Sequence, residues 1–234
     1  MATFQLQQGE LDSPETGAPT VFKVAANQAE RAAAFRLVYQ SYVRAGLVEE
    51  NPCQMRVTPY HLLDSTQVFI AVCQNEVIST VSLVGDGVLG LPMEGIYAEE
   101  VEQLRWRGIA LAEVSSLADR RRQLSRTLPV FVSLMRLMVQ SARHRGIERL
   151  LVAVHPRHAR FYQRVLSFEN VGDLKSYPLV RNNPAVALSL DFAKLDRVRP
   201  VNYDTFFGEL LPEQQLVGQP MDDDERHCFA PAAK

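Results

Sequence analysis

The sequence lacks the features of a disulfide-rich, metal-bound or membrane-spanning protein. Only three cysteines occur in 234 residues, Cys53, Cys73 and Cys228. Their odd number and wide spacing argue against a disulfide framework and a zinc site. The longest apolar runs, such as residues 150–154, are far shorter than the roughly 20 residues that span a bilayer. The sequence therefore predicts no bound metal and no transmembrane segment.

The sequence also has no large excess of charge of either sign. Lys and Arg together number 25 and Asp and Glu 27, so the formal net charge is -2. A global positive field that would attract nucleic acid or an anionic membrane is thus absent, and any anion must be bound by a local cluster. Residues 1–20 are polar and have neither the basic start nor the apolar segment of a signal peptide. We therefore expect a cytoplasmic protein that does not bind nucleic acid.

Segments with strand and helix patterns alternate along the chain. A hydrophobic content of 47% is enough for one large domain with its own core. The predicted elements are a strand at 21–25, a helix at 28–45, strands at 66–73 and 77–84, a helix at 97–107, a strand at 109–117, a helix at 128–145, a strand at 149–154, a helix at 158–166 and strands at 171–177 and 185–192. This order predicts an α/β fold with a mixed central sheet and helices on both faces.

Helix caps and composition set the predicted boundaries. Asn27 is a candidate N-cap for the first helix, and Thr127 is one for the long helix that carries Pro129 in its first turn. We predict a flexible tail over 1–20, one domain over 21–192 and a C-terminal extension over 193–234. The extension is rich in Pro, Gly and Asp, so we expect it to be partly disordered.

Four separate motifs follow one another along the chain. They are Gly90-Leu-Pro-Met-Glu-Gly-Ile-Tyr97, Leu111-Ala-Glu-Val-Ser-Ser-Leu-Ala118, Pro156-Arg-His-Ala-Arg-Phe-Tyr162 and Pro184-Ala-Val-Ala-Leu188. Together they resemble the bacterial long-chain N-acyl amino acid synthases, which have the GNAT fold and are related to the acyl-homoserine lactone synthases. The resemblance covers about residues 21–192. The sequence departs from it at Ser116 and at Ser167, where a glycine is usual.

The resemblance implies an enzyme that transfers a long-chain fatty acyl group from acyl carrier protein to the amino group of an amino acid. The phosphopantetheine-linked donor is a co-substrate, and no metal or permanently bound cofactor is implied. Two alternatives remain open. One is an acyl-homoserine lactone synthase-like enzyme, which needs S-adenosylmethionine, and the other is an inactive module that binds an acyl chain or its carrier. Residues 105–110 match a CoA phosphate loop superficially, but they precede a strand, which favours a carrier protein as donor.

Glu113 is the candidate catalytic base. Amino acids arrive protonated, so acyl transfer to their nitrogen requires a base. A carboxylate among the apolar residues of this strand is expected to be desolvated, with a raised pKa, and the glutamate of the family motif falls on the same position. The alternative is a glutamate at the strand end that faces solvent or bonds to a neighbour. Backbone N–H groups beside Val114 and Ser115, on a bulged strand, are expected to hold the oxyanion.

Three further residues are candidates for the substrate site. The resemblance implies that Tyr162 protonates the leaving thiolate, whereas a tyrosine in this context is also typical of a core aromatic residue. Arg36 lies on a helix rich in aromatic residues, including Tyr39. Its guanidinium could hold the carboxylate of the acceptor in a bidentate pair, or it could be a surface arginine.

Two larger groups of residues complete the predicted site. The first is a helical stripe that either lines an acyl tunnel or belongs to the ordinary core: Phe131, Leu134, Met135 and Met138. The second is a basic cluster that either binds pantetheine phosphate and docks the acidic carrier protein or is a solvated surface: Arg120, Arg121, Arg122, Arg126 and Arg157.

Overall fold

The structure is a computed structural model that describes residues 19–121 and 124–233, without the side chains of 124–127. Seven strands form one sheet in the order β1-β2-β3-β4-β5-β7-β6. They are β1 (Thr20–Val24), β2 (Thr66–Cys73), β3 (Glu76–Gly85), β4 (Leu111–Asp119), β5 (Arg149–Val154), β6 (Glu169–Tyr177) and β7 (Asn183–Asp191). Neighbouring strands are antiparallel except β4 and β5, which are parallel. The predicted mixed sheet is confirmed.

Helices cover both faces of this sheet. The four main helices are α1 (Gln28–Arg44), α2 (Glu94–Trp106), α3 (Leu124–His144) and α4 (Pro156–Leu166). Buried residues of α3 and α4 form one core with one face of the sheet, whereas α1 and α2 pack on the other face. Because β4 and β5 run between these two layers, residues that alternate along β4 point in turn into each core.

The first helix forms for the predicted local reason, and a two-residue turn closes the first hairpin. The N–H of Glu30 donates to the side chain of Asn27 at 3.0 Å, which satisfies a free donor at the start of α1. Gln74 and Asn75 both have positive φ, as a two-residue turn between β2 and β3 requires. Ser167, at the position where the family pattern has glycine, also has a positive φ of 60° as it ends α4. The backbone there adopts the conformation for which glycine is preferred.

Three helix starts differ from the predictions. Helix α2 begins at Glu94 rather than at residue 97. The structure begins α3 at Leu124, one turn before the predicted cap at Thr127, so Pro129 lies inside the helix. A proline there removes one backbone hydrogen bond, but packing of the fully buried stripe farther along α3 on the sheet outweighs this loss. Helix α4 begins at Pro156 because Nδ1 of His155 accepts the N–H of Arg157 at 3.2 Å.

The C-terminal extension is helical in the structure, whereas its composition predicted partial disorder. It contains α5 (Phe192–Val198), α6 (Tyr203–Phe207), α7 (Glu213–Leu216) and α8 (Asp223–Phe229). Phe206 and Leu216 join the core beneath α3, and Phe229 packs on the opposite face of the sheet. Isolated apolar residues thus anchor a segment that has no helical periodicity of its own.

The strands β4 and β5 separate soon after they pair. Their parallel pairing covers only residues Leu111 to Glu113 of β4 and Arg149 to Leu151 of β5. Beyond this point β4 follows β3, and β5 pairs with β7 up to Val154. The divergence opens a cleft in the sheet at Glu113. The predicted bulge in β4 is present, but it lies at Ser116, whose φ is 52°, rather than beside Val114.

Candidate active site

Glu113 lies where the pairing of β4 with β5 ends, and only 3% of its surface is exposed. The backbone N–H of Met93 donates to Oε2 of this carboxylate at 2.7 Å. Burial raises the pKa of Glu113 to about 8; the hydrogen bond from Met93 opposes this shift and the charge of Glu94 adds to it. The alternative of a solvent-facing glutamate is therefore wrong. The site holds a carboxyl group that can exchange a proton near neutral pH.

The loop before α2 places the Met93 N–H. Gly90 adopts a positive φ of 67°, and a side chain at this position would collide with the carboxylate of Glu94. Glu94 accepts the N–H of Leu91 at 2.6 Å and pairs with Arg105 at 2.7 Å. The Gly90-Leu-Pro-Met-Glu94 part of the sequence motif thus forms a rigid turn whose backbone contacts Glu113.

Three tyrosine hydroxyls lie close enough to Glu113 to be affected by its charge. They are Tyr42 on α1, Tyr60 in the 3-10 turn Pro59–Leu62 and Tyr177 at the end of β6. Burial raises the pKa of each hydroxyl, and the charge of Glu113 raises it further. Sequence reasoning missed Tyr60 and Tyr177 as site residues because neither lies on a periodic face that points to the cleft. These three tyrosines, called the aromatic wall below, come together only in the tertiary fold.

Arg56 adds a cation to this wall. Its guanidinium carbon lies 5.2 Å from the centre of the Tyr42 ring, and Nη2 donates to the carbonyl of Leu179 at 3.1 Å. The positive charge of Arg56 lowers the pKa of both Tyr42 and Tyr177, against the effect of their burial. Within residues 19–121 and 124–233 the structure shows no ion pair of Arg56 with a carboxylate.

His61 is buried in the same 3-10 turn as Tyr60, and its ring is neutral. Burial, together with the charge of Arg56, lowers its pKa to about 4. The N–H of Thr58 donates to Nδ1 at 3.0 Å, so the ring hydrogen is on Nε2, which lies 3.2 Å from Oγ of Ser82. Ser82 pairs with Ser115 across β3 and β4, two residues along from Glu113. The histidine therefore contacts a buried hydroxyl on the same face of the sheet as Ser115 and Glu113.

The predicted residues Tyr162 and Tyr39 are both buried. The ring of Tyr162 meets Phe168 edge to face at 5.6 Å, and burial raises the pKa of its hydroxyl, with Tyr42 adding to the shift. Tyr162 is thus part of the core and also lies close to Tyr42 of the aromatic wall. The Tyr39 hydroxyl accepts the N–H of Asn51 at 3.2 Å. This contact ties α1 to the loop that carries Arg56.

Arg36 and the β4 residues after Glu113 have different surroundings. The side chain of Arg36 is exposed on α1, on a different face from the buried Phe35 and Tyr39, so the structure does not bring it into the cleft. Val114 is buried in the core under α3. Ser115 is half-buried on the strand face that carries Glu113.

The predicted acyl stripe lies in the main core. Its four residues are all buried between α3 and the sheet: Phe131, Leu134, Met135 and Met138. The ring of Phe131 meets that of Tyr162 edge to face, with ring centres 6.5 Å apart. This packing matches the ordinary-core alternative.

The predicted basic cluster is divided in the structure. Arg120 pairs with Glu76, and Arg121 pairs with Asp119 at 2.7 Å. Arg157 is exposed at the start of α4, where its Nε lies 3.0 Å from Nε2 of His158. Arg122 and the side chain of Arg126 lie outside the described residues. Two of the five arginines therefore already have carboxylate partners.

The described part of the chain contains no helix long and apolar enough to cross a bilayer. Nor do its described side chains include a group of three or more His, Cys, Asp and Glu residues suited to a metal ion.

Known proteins share this fold and part of this sequence. A family model described as N-acyl amino acid synthase FeeM matches residues 33–191. The solved structure of FeeM, an N-acyl amino acid synthase from uncultured soil microbes, has a TM-score of 0.66 and 29% identity and covers 76% of this chain and 93% of its own. No protein with curated function matches significantly in sequence.

Two more distant structures are similar in fold. The CoA-dependent acyl-homoserine lactone synthase BjaI has a TM-score of 0.55 and 16% identity, covering 91% of this chain and 100% of its own. An acyl-CoA N-acyltransferase from Pseudomonas aeruginosa has a TM-score of 0.51 and 12% identity, covering 74% and 98%. The architecture is the GNAT fold, as the sequence motifs predicted.

Proposed function

Because the chain belongs to the FeeM family of N-acyl amino acid synthases, we propose that it transfers a long-chain fatty acyl group from acyl carrier protein to the amino group of a free amino acid. The protein is an acyltransferase with the GNAT fold. The observation that carries the proposal is the buried carboxyl of Glu113, whose pKa is raised to about 8, at the cleft where β4 and β5 separate.

The proposed reaction begins with removal of a proton from the ammonium group of the acceptor. Glu113 accepts this proton, and a raised pKa makes its carboxylate a better match for an amine than an exposed glutamate is. The neutral nitrogen then attacks the thioester carbonyl, and backbone N–H groups of β4 near the Ser116 bulge stabilise the oxyanion. The C–S bond breaks, and the pantetheine thiolate takes a proton from Tyr162, whose pKa burial raises. The second proton that the nitrogen loses as it becomes an amide restores the Tyr162 hydroxyl, and Glu113 releases its proton to solvent.

A carrier-protein donor is supported by the surroundings of Arg105. This arginine belongs to the segment that superficially matches a CoA phosphate loop, but its guanidinium is held by Asp86 at 2.8 Å and by Glu94 at 2.7 Å. It lies at the end of α2 and not at the start of a helix, so it presents no helix N-terminus to a phosphate. For carrier docking we propose the exposed Arg157 together with Arg160 on α4. Such a donor implies a reaction in the cytoplasm.

Product analysis tests this function. The purified protein is incubated with acyl carrier proteins that bear chains of eight to sixteen carbons and with pooled amino acids, and the products are identified by mass spectrometry. We expect an N-acyl amino acid together with free carrier thiol. A parallel reaction with S-adenosylmethionine that yields an acyl-homoserine lactone instead would contradict the proposal. Binding of the carrier without turnover of any donor would favour the inactive module.

The pH dependence of the reaction provides a second prediction. Glu113 must be ionised to act as a base. In the enzyme without substrate its pKa is about 8, so kcat/KM for the acceptor should rise with pH and level off above this value. Replacement of Glu94 by glutamine removes a negative charge that raises this pKa, so the inflection should move to lower pH. An inflection in the wild type near 4.5, the ordinary value for glutamate, would show that Glu113 is not the titrating base.

A further inference from the structure

We propose that Arg56 binds the carboxylate of the acceptor amino acid, so that the acceptor lies between Arg56 and Glu113 with its amine toward the glutamate. This inference rests on the proposed function and specifies how the acceptor is recognised. It predicts that the enzyme requires an acceptor with a free α-carboxylate, and that amines, esters and amides are poor substrates.

Arg56 differs from most of the other arginines that are withdrawn from solvent. Arg145 also has no carboxylate partner among the described residues, but its guanidinium donates both to Gln67 and to the carbonyl of Ser65. Arg31 pairs with Glu225 at 2.6 Å, Arg121 pairs with Asp119, and Arg149 pairs with Asp191. Arg56 is half-buried as well, yet in the described part of the chain its polar contact is the single carbonyl of Leu179. A guanidinium has five N–H donors, and two of them on one edge match a carboxylate. Arg56 therefore keeps donors for an anion.

The charge distribution around Arg56 favours an anionic ligand. The nearby His61 is neutral, because its Nδ1 accepts a backbone N–H and its ring is buried. The face of Tyr42 lies under the guanidinium and supports its charge without neutralising it. A carboxylate placed here would remove the cost of a half-buried cation that lacks a counter-ion.

Arg56 and Glu113 act on the same aromatic wall. Tyr42 and Tyr177 each feel the charge of both residues, with opposite signs. The cation and the base therefore both lie close to these tyrosine hydroxyls. A free amino acid carries an ammonium and a carboxylate on the same carbon, so it complements both groups at once. A simple amine would satisfy Glu113 alone and leave Arg56 unpaired.

The sequence made Arg36 a candidate for this task, and the structure distinguishes it from Arg56. Arg36 is exposed on α1, whereas Arg56 faces the Tyr42 ring from the connection between α1 and β2. An arginine held over an aromatic ring loses less conformational freedom when it binds a carboxylate than an exposed one does. The geometry thus transfers the expected role from Arg36 to Arg56.

The test compares an amino acid with its amide of the same side chain, as acceptors from the same acyl carrier protein. For the wild type we expect kcat/KM to be about 100-fold higher for the acid, since a charged hydrogen-bonded pair is lost with the amide. In Arg56→Gln this preference should fall to a few-fold, chiefly because KM for the acid rises, while the rate with the amide is retained. Arg56→Lys should restore part of the preference.

Controls separate this inference from general damage. Arg107→Gln removes an exposed positive charge at the end of α2 and should keep the 100-fold preference. Thermal unfolding shows whether each variant is folded. Equal loss with acid and amide in a folded Arg56→Gln variant would overturn the inference, as would loss of the preference in Arg36→Gln instead. A wild type that acylates both acceptors equally would overturn it while the acyltransferase function stands; if neither is acylated, both proposals fail.

Discussion

Replacement of Glu113 by glutamine is expected to lower kcat/KM for acyl transfer by about 100- to 10,000-fold, the usual contribution of a general base. Glutamine has nearly the same shape, and its oxygen can still accept the Met93 N–H that Oε2 accepts at 2.7 Å. The change therefore removes proton acceptance with little change in packing. Initial rates with acyl carrier protein and a saturating acceptor measure the effect, and a folded variant with the wild-type rate would show that another group is the base.

The stability of the same variant separates chemistry from folding. The pKa of Glu113 is about 8 in the folded protein and near 4.5 in an unfolded chain, so folding takes up a proton between these values. Wild-type stability should fall as pH rises through this window, by up to about 1.4 kcal/mol per pH unit. Glu113→Gln has no such loss, so its melting temperature should exceed that of the wild type above about pH 7, with little difference at pH 4.5.

A matched variant on a neighbouring element completes this test. Glu102 lies on the exposed side of α2, so Glu102→Gln removes the same charge without touching the cleft. It should retain the wild-type rate and show no rise in melting temperature with pH. A similar loss of activity in Glu102→Gln would mean that net charge, and not the buried base, controls the rate.

The position of Glu113 could be predicted because it depends on local sequence. A single carboxylate in an apolar strand is conspicuous, and its burial follows from the alternation of side chains along β4 and from a sheet covered on both faces. The start of α1 at Asn27 and the hairpin turn at Gln74 and Asn75 were equally local, since each depends on a few adjacent residues.

The partners of Glu113 could not be predicted in the same way. Met93, Arg56 and His61 lie in connections between elements, where no periodicity tells which way a group points. A backbone N–H such as that of Met93 also has no side-chain signature. Arg36 was a candidate and Arg56 was not, because the helix pattern shows aromatic neighbours of Arg36 but does not show which face is covered by the sheet. The site therefore depends on tertiary contacts that a linear pattern does not encode.

The C-terminal extension shows the same limit at the level of stability. Glu225 belongs to the acidic run at residues 222–225, and both of its oxygens accept hydrogen bonds from Nη1 of Arg31, at 2.6 and 2.7 Å. The side chains of the pair are only 5% and 9% exposed. The interaction joins α8 to α1 across 194 residues of sequence. No local pattern could reveal it, because its two halves come together only after the domain folds.

Removal of one partner of this ion pair should therefore be costly. Glu225→Gln leaves the guanidinium of Arg31 buried without a counter-charge, which we expect to destabilise the protein by about 3 to 5 kcal/mol. For a chain of this size the melting temperature should fall by roughly 6 to 20 °C. The double variant Arg31→Met with Glu225→Met removes both charges and should recover most of the loss, since an apolar pair of similar volume avoids the desolvation cost.

An exposed ion pair provides the matched control. Glu169→Gln breaks the pair with Lys194, whose side chains are 57% and 45% exposed, and should cost less than about 1 kcal/mol. If Glu225→Gln were no more destabilising than this control, α8 would not be docked on α1 as described.

Aromatic packing connects α8 to the cleft. The ring of Phe229 on α8 lies 5.1 Å from that of Phe35, and the ring of Phe35 lies 4.9 Å from that of His61. Loss of the ion pair should therefore loosen the support beneath His61 before the whole domain unfolds.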